Sequence, residues 1–336
     1  MFSKNFFLIP LCFFLVTACS NSNSQTSEPA QVSEMSLIST PTTQVATYYN
    51  DGVSYLDLGK YDEAITAFTK AIEIDPKTAA IYYNRGTAYF VLEAYQKAID
   101  DYSKAIRLDP SDVLTYRNRG AAYDLIGRYD QSIEDYTQAI KLDASDSDTF
   151  SARGAAYYIL NEYEKAIQDY TKTIELNPSD AAAYSIRGDC YSELAQYEKA
   201  INDYSKAIEL KPSDAVTYNY RGVSYFLSGN TQQSIKDYTK AIELAPQLPN
   251  SYGNRATSYY FLKEYLKAIE DYTKVTELSP TDLVSFYNRG LSYRQIGKHQ
   301  EAIADFTKVI DLDQGNINTD KVKNLITDSQ NILNNE

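Results

Sequence analysis

YNRGTAYFVLEAYQKAIDDYSKAIRLDP, residues 83–110, returns as YNRGLSYRQIGKHQEAIADFTKVIDLDQ at residues 287–314. Between the two the same phrase recurs every 34 residues, and one further copy precedes them. A small residue marks each copy, at Gly52, Gly86, Gly120, Gly154, Gly188, Gly222, Ala256 and Gly290. A proline closes most copies, at Pro76, Pro110, Pro178, Pro212, Pro246 and Pro280, with Ala144 and Gln314 in its place in the third and the eighth. The register divides the chain into eight units, 45–78, 79–112, 113–146, 147–180, 181–214, 215–248, 249–282 and 283–316. A repeat of this length is one supersecondary unit whose apolar side only a neighbour can cover.

Each unit predicts two helices. With the first residue of a unit as position 1, positions 4, 8 and 11 fall on one helical face. They hold Tyr or Phe, then Gly or Ala, then Tyr; position 11 is tyrosine in every unit. The small residue at position 8 lets a second helix approach. That helix carries Ala or Ser at 20, Ile at 21 and Tyr or Phe at 24. A short turn with Gly59, Gly127, Gly229 or Gly297 joins the pair, and the closing proline stops the second helix. Residues 319–333 supply a final amphipathic helix with Val322, Leu325, Ile326 and Ile332 on one stripe, the solvating lid that an array requires. Most of the 32 tyrosines sit at positions 4, 11, 17 or 24, where a ring packs and its hydroxyl finds a neighbour or water.

The period and its landmarks resemble the tetratricopeptide repeat, over about four fifths of the chain. The resemblance implies an all-α fold, a right-handed superhelical solenoid of eight helix-turn-helix repeats with a C-terminal capping helix over 317–336. It also implies a concave groove lined by positions 2, 5, 6, 9, 12 and 13 of the first helices, where relatives hold peptides. In this sequence the aromatic residues of that arc are Tyr49, Tyr83, Phe90, Tyr158, Tyr220, Phe226, Tyr260, Phe261 and Tyr287, candidate anchors for a partner. The plainer alternative is that these rings pack against the neighbouring unit. Asparagine recurs at position 6, as Asn50, Asn84, Asn118, Asn254 and Asn288, and a side-chain amide can pair with both groups of an extended backbone. A generic wet helix face is the alternative here. The carboxylate-clamp set of the family is missing, because positions 2 and 5 hold Ala46, Ala80 and Leu114, and Tyr49, Tyr83 and Arg117. Arg at position 7 and Asp at position 23 recur in seven units, in a register expected to form weak repeat-to-repeat ion pairs or solvated stripes.

Composition narrows the chemistry. The chain has 336 residues, 43% hydrophobic and 23% charged, with a net charge of −13, which argues against a nucleic-acid partner. His299 is the one histidine and has no metal-ligand cluster around it in sequence; Cys190 occupies a small packing position. No G-x-S-x-G, Walker loop or paired-acid motif occurs. The reading is a non-enzyme without cofactors or metal.

The amino terminus points to export. Lys4 precedes the apolar run FFLIPLCFFLV at 6–16, too short for a comfortable membrane span and suited to a signal peptide over 1–18. Val16-Thr17-Ala18-Cys19 resembles the bacterial lipobox, which implies that Cys19 becomes a lipidated first residue carrying palmitate or a like chain. Ser20 in place of Asp implies the periplasmic face of the outer membrane, if the source has two membranes. Residues 19–44, rich in Ser, Thr, Gln and Pro, read as a disordered tether. Together these features predict a membrane-tethered scaffold in the bacterial cell envelope that binds a peptide or helix of another envelope protein. A solute- or peptide-binding receptor and a structural homo-oligomer are the alternatives.

Overall fold

The computed structural model describes residues 43–313 and 319–335. The expectations for the export signal, for Cys19 and for the tether up to residue 42 fall outside them. The described residues form seventeen helices and no strand. The chain divides into two compact units, Met1–Pro178 and Ser179–Glu336.

In the first unit the helices are α1 (Thr43–Asp57), α2 (Tyr61–Ile74), α3 (Ala79–Val91), α4 (Tyr95–Leu108), α5 (Val113–Leu125), α6 (Tyr129–Leu142), α7 (Ser147–Ile159) and α8 (Tyr163–Leu176). They pair as four hairpins, each with a first helix A and a second helix B, and the B helices α2, α4 and α6 pack on the next A helices, α3, α5 and α7. The second unit repeats this with α9 (Ala181–Glu193), α10 (Tyr197–Leu210), α11 (Ala215–Leu227), α12 (Thr231–Leu244), α13 (Pro249–Phe261), α14 (Tyr265–Leu278), α15 (Leu283–Gln295) and α16 (His299–Leu312). A last helix, α17 (Thr319–Asn335), lies on α16 and buries Val322. Within each unit successive A helices touch one another, so the A helices line the inner side of the stack.

The hairpin closes on the small residue at position 8. A Cβ built on Gly86, Gly120, Gly188 or Gly222 would stand 2.7–2.9 Å from the ring of the tyrosine at position 24 of the same repeat. At Gly154 the ring of Tyr170 is 3.1 Å away. Ala256 shows that one methyl can be accommodated, and it is fully buried. The A–B turn needs a left-handed residue at position 15. Gly59, Gly127, Gly229 and Gly297 supply it, and Glu93, Asn161, Ala195 and Lys263 adopt the same conformation at φ of 55–61°. Aspartates at position 34 cap the following A helix, Asp112, Asp146, Asp180 and Asp214 each accepting a backbone N–H.

The arginines at position 7 do not pair between repeats as the sequence register suggested. Arg85, Arg119, Arg153, Arg187, Arg221, Arg255 and Arg289 each grip the position-23 aspartate of their own repeat. The grip is bidentate at 2.6–2.8 Å; Nε and Nη2 of Arg119, for example, donate to the two oxygens of Asp135. In six of them, Arg85, Arg119, Arg153, Arg221, Arg255 and Arg289, Nη1 then reaches back to a hydroxyl at position 25 of the preceding repeat, as in Arg85 to Thr69, Arg119 to Ser103 and Arg255 to Thr239. The rings at positions 4 and 11 flank the guanidinium, for Arg119 those of Tyr116 and Tyr123, both 5.9 Å away. The hydrogen bonds to Asp101, Asp203 and Asp305 hold Arg85, Arg187 and Arg289 above the usual arginine pKa. Surface pairs contribute little, but these aspartates are buried and belong to the costlier class.

Two substitutions test this framework. Gly154→Leu forces a branched side chain into the Tyr170 ring and should destabilise by about 1–3 kcal/mol or more, read as a lower denaturant midpoint. Arg119→Ala leaves Asp135 buried without its partner and should cost roughly 3–5 kcal/mol, whereas replacing both by apolar residues of similar volume should restore most of that loss.

Candidate partner-binding face

The inner A-helix face holds every residue singled out in the sequence as a candidate anchor, but the side chains divide into two groups. At position 5, tyrosines turn into their own repeat. Tyr49 packs on Phe68 with ring centroids 6.0 Å apart, Tyr83 on Tyr102 at 6.0 Å, and Tyr287 on Phe306 at 5.9 Å. Tyr220, at position 6, packs 6.3 Å from Tyr204 of the preceding repeat. Burial raises the hydroxyl pKa of Tyr49, Tyr83 and Tyr220.

The asparagines follow from this. Asn84 Nδ2 donates to the Tyr49 hydroxyl at 3.0 Å and Asn118 Nδ2 to the Tyr83 hydroxyl at 3.1 Å. Asn254 Nδ2 donates to Asn219 Oδ1 at 3.1 Å. In each case position 6 of one repeat holds position 5 of the repeat before it. Asn50, with no repeat before it, is exposed. Three of the five amides, those of Asn84, Asn118 and Asn254, are therefore taken up in inter-repeat ties, because the position-5 side chain of the repeat before places an acceptor in reach. Tyr83, Asn84 and Tyr158 are buried, which removes them from any surface a partner could touch.

The second group stands at positions 12 and 13, where each A helix ends. Phe90 packs edge-on against Tyr95, Tyr158 against Tyr163 and Tyr260 against Tyr265, each at the position-17 ring of its own repeat. Phe226 differs because position 17 of its repeat is Thr231. Its ring pairs with Phe261 instead, at 5.1 Å. Next to these rings the position-13 side chains are open to solvent, with Phe261 53% exposed, Leu227 48%, Leu125 47% and Val91 46%. A cleft lined by Ala79, Ala80, Tyr83 and Thr115 has a volume of 10 Å³, about one water.

Two carboxylates on this wall were missed in the sequence. Asp189, at position 9, accepts the Tyr204 hydroxyl at 2.6 Å, and burial pushes its pKa up to about 7, with Glu193 and Asp214 adding to the rise. Asp124, at position 12, accepts the Tyr136 hydroxyl at 2.7 Å while its other oxygen is buried without a partner. Burial raises it to about 6. The signal was available, since each is the one carboxylate at a position that most other repeats fill with an apolar or aromatic residue. Cys190 is buried as a free thiol, and burial raises its pKa and so favours the protonated form.

Family models described as tetratricopeptide repeat match residues 79–112, 113–146, 147–180, 215–248 and 284–316, a further two match 169–202 and 249–282, and one described as TPR repeat matches 52–92 and 188–229. No curated protein matches the chain. Among solved structures, the MamA protein is 28% identical over 51% of this chain and 94% of its own, with a TM-score of 0.50. YrrB, described as a TPR protein with an unusual peptide-binding site, is 25% identical over 55% of this chain and 95% of its own, with a TM-score of 0.51. The C-terminal part of a TPR repeat-containing protein from Cytophaga hutchinsonii is 22% identical over 71% of this chain and 98% of its own, with a TM-score of 0.63, and shares the fold.

The buried acid makes a pH prediction. A carboxylate whose pKa is raised on folding binds its proton more tightly in the folded state. Stability is then greatest below about pH 4 for this group and falls as pH rises towards 7. Asp189→Asn keeps an acceptor for Tyr204 and should stabilise the protein at pH 7.5 by a few kcal/mol. It should also flatten the decline between pH 4 and 7 in denaturant titrations; an unchanged slope would mean that Asp189 is ionised at little cost.

Proposed function

Since the chain belongs to the tetratricopeptide repeat family, we propose that it is a scaffold that holds a peptide or helix of a cell-envelope partner on its A-helix face, tethered to a membrane through Cys19. A protein-interaction role is the property of the fold. The observation that supports a site on this face is the contrast along each A helix. Positions 4, 8 and 11 are given over to the framework, while the position-13 side chains beside the aromatic pairs stay open, with Phe261 half exposed. Aromatic anchors next to exposed aliphatic side chains suit a partner's apolar residues. The peptide-binding site in the description of YrrB is consistent with this reading.

The tether reading rests on the lipobox-like Val16-Thr17-Ala18-Cys19 and the polar stretch that follows it. A lipid on Cys19 with a flexible tether confines the array near one surface and raises the effective concentration of partners there. A small-solute receptor has less support, because such ligands need burial on most sides, which an open helical face does not offer.

Labelling cells with radioactive palmitate should mark the protein, and Cys19→Ser should abolish the label. A photoreactive phenylalanine in place of Phe261 should crosslink an envelope protein in living cells, whereas the same group in place of Glu243 on the opposite, B-helix side should not. Equal crosslinking from both positions would remove the A-helix face as the site.

A further inference from the structure

The array is lidded after repeat 8, where α17 lies on α16 and buries Val322. Among the described residues no helix covers the other end, although the face there is of the kind that is covered elsewhere. Position 7 of an A helix faces the preceding B helix, because its arginine reaches a hydroxyl there. Positions 3, 10 and 14 share that face at helical spacing. In repeats 2, 3 and 4 the residues at 3 and 10 are shut in, with Ile81, Thr115, Thr149, Ala88, Ala122 and Ala156 only 0–1% exposed. In α1 the same stripe is Thr47, Asp51, Ser54 and Leu58, and all four are exposed, Leu58 at 68%.

The sequence before α1 carries what this face lacks. Taking the 34-residue register back one unit sets Ala30 where repeat 1 has Ala64 and Ile38 where it has Ile72. Ala64 is fully buried, and Ile72 packs on the cores of both repeat 1 and repeat 2, so it spans the joint between hairpins. Pro41 stands one residue ahead of the place that Pro76 takes at the close of repeat 1. The departures from the pattern agree as well. Arg85, Arg119 and Arg153 each use a hydroxyl of the repeat before, on Thr69, Ser103 and Thr137. One unit earlier both members are exchanged together, with Asp51 in place of the arginine and Met35 in place of the hydroxyl.

We propose that residues 30–40 fold back on repeat 1 and take the place of a preceding B helix, with Ile38 against Thr47, Val32 against Ser54 and Met35 between them. The lengths match, since eleven helical residues span about 16 Å and Thr47 to Ser54 about 11 Å. Ser36 and Ser39, close to Met35 in the sequence, offer hydroxyl donors to Asp51. The chain itself is the favoured occupant. The segment joins α1 through two residues, which gives it a high effective concentration at the face. A second copy would find a surface one helix wide, roughly a few hundred Å², well short of the roughly 800 Å² per partner of a stable dimer. The cap needs neither lipid nor partner, so it goes beyond the scaffold reading and stands without it. If that reading also holds, the free tether shrinks to residues 20–29, about 17 Å root-mean-square.

Hydrogen exchange on the full chain tests the cap. The amides of residues 32–40 should exchange about tenfold or more slower than the intrinsic rates of an unstructured chain. Met35→Ser combined with Ile38→Ser should return them to those rates and leave the exchange of repeats 2–8 unchanged. Ser54→Lys changes an exposed residue of α1 and should have the same effect from the other side of the contact. Met35 is the one methionine besides Met1, and hydrogen peroxide should oxidise it more slowly in the wild type than in Ser54→Lys. Intrinsic exchange rates in the wild type would overturn the cap. Protection that survives Ser54→Lys would belong to a local helix alone, and protection lost on dilution would belong to a second copy; either result overturns it too.

Discussion

The fork between arginine at position 7 and aspartate at position 23 sets the terms for the rest of the array. A guanidinium presents its donors in a fixed plane, so two go to the carboxylate, a third reaches the preceding repeat, and the flat faces meet the rings at positions 4 and 11. A lysine could supply the charge but not this division of labour. One side chain thus closes the hairpin, fixes the register between repeats and explains much of the tyrosine content. The first repeat confirms the logic by exception. It has Asp51 and Ala67 at the two positions, and no repeat lies before it whose hydroxyl an arginine could reach.

The same principle, a side chain serving the next repeat, governs the inner wall. The asparagines at position 6 look in sequence like groups waiting for a ligand backbone. In the fold Asn84, Asn118 and Asn254 are already engaged with position 5 of the repeat before them. What stays open on this face is the position-13 side chains at the helix ends, Val91, Leu125, Leu227 and Phe261.

Periodicity carried the fold because the framework positions barely vary between copies, and eight copies in register leave one consistent helical face. The A–B approach at position 8 was legible for the same reason. The direction of the position-5 side chains was not. A helical wheel assigns Tyr83 and Phe90 to one arc, but it cannot say that Tyr83 bends onto Tyr102 while Phe90 meets Tyr95 at the turn. Nor could it rank the ion pairs, since the same Arg–Asp spacing fits a solvated stripe or a buried fork, and only the burial of Asp135 or Asp237 separates them. Asp124 and Asp189 escaped notice because the sequence was read for what recurs, and they mark departures from the pattern.

Those departures share a physical basis. In a stack whose stability is close to a sum over repeats and their interfaces, a local deficit stays local. Seven forks hold the hairpins together, so repeat 5 can carry a buried acid and repeat 7 a glycine at position 5 without loss of the fold. Natural proteins tend to break local rules where function requires it. In this chain the framework positions recur from repeat to repeat, and the irregularities gather at positions 5, 6, 9, 12 and 13 of the inner helices. A surface built to bind something must differ from one repeat to the next, because a partner segment is not itself periodic. The inner wall departs from the repeat at these positions, while the Arg–Asp forks and the small residue at position 8 stay the same.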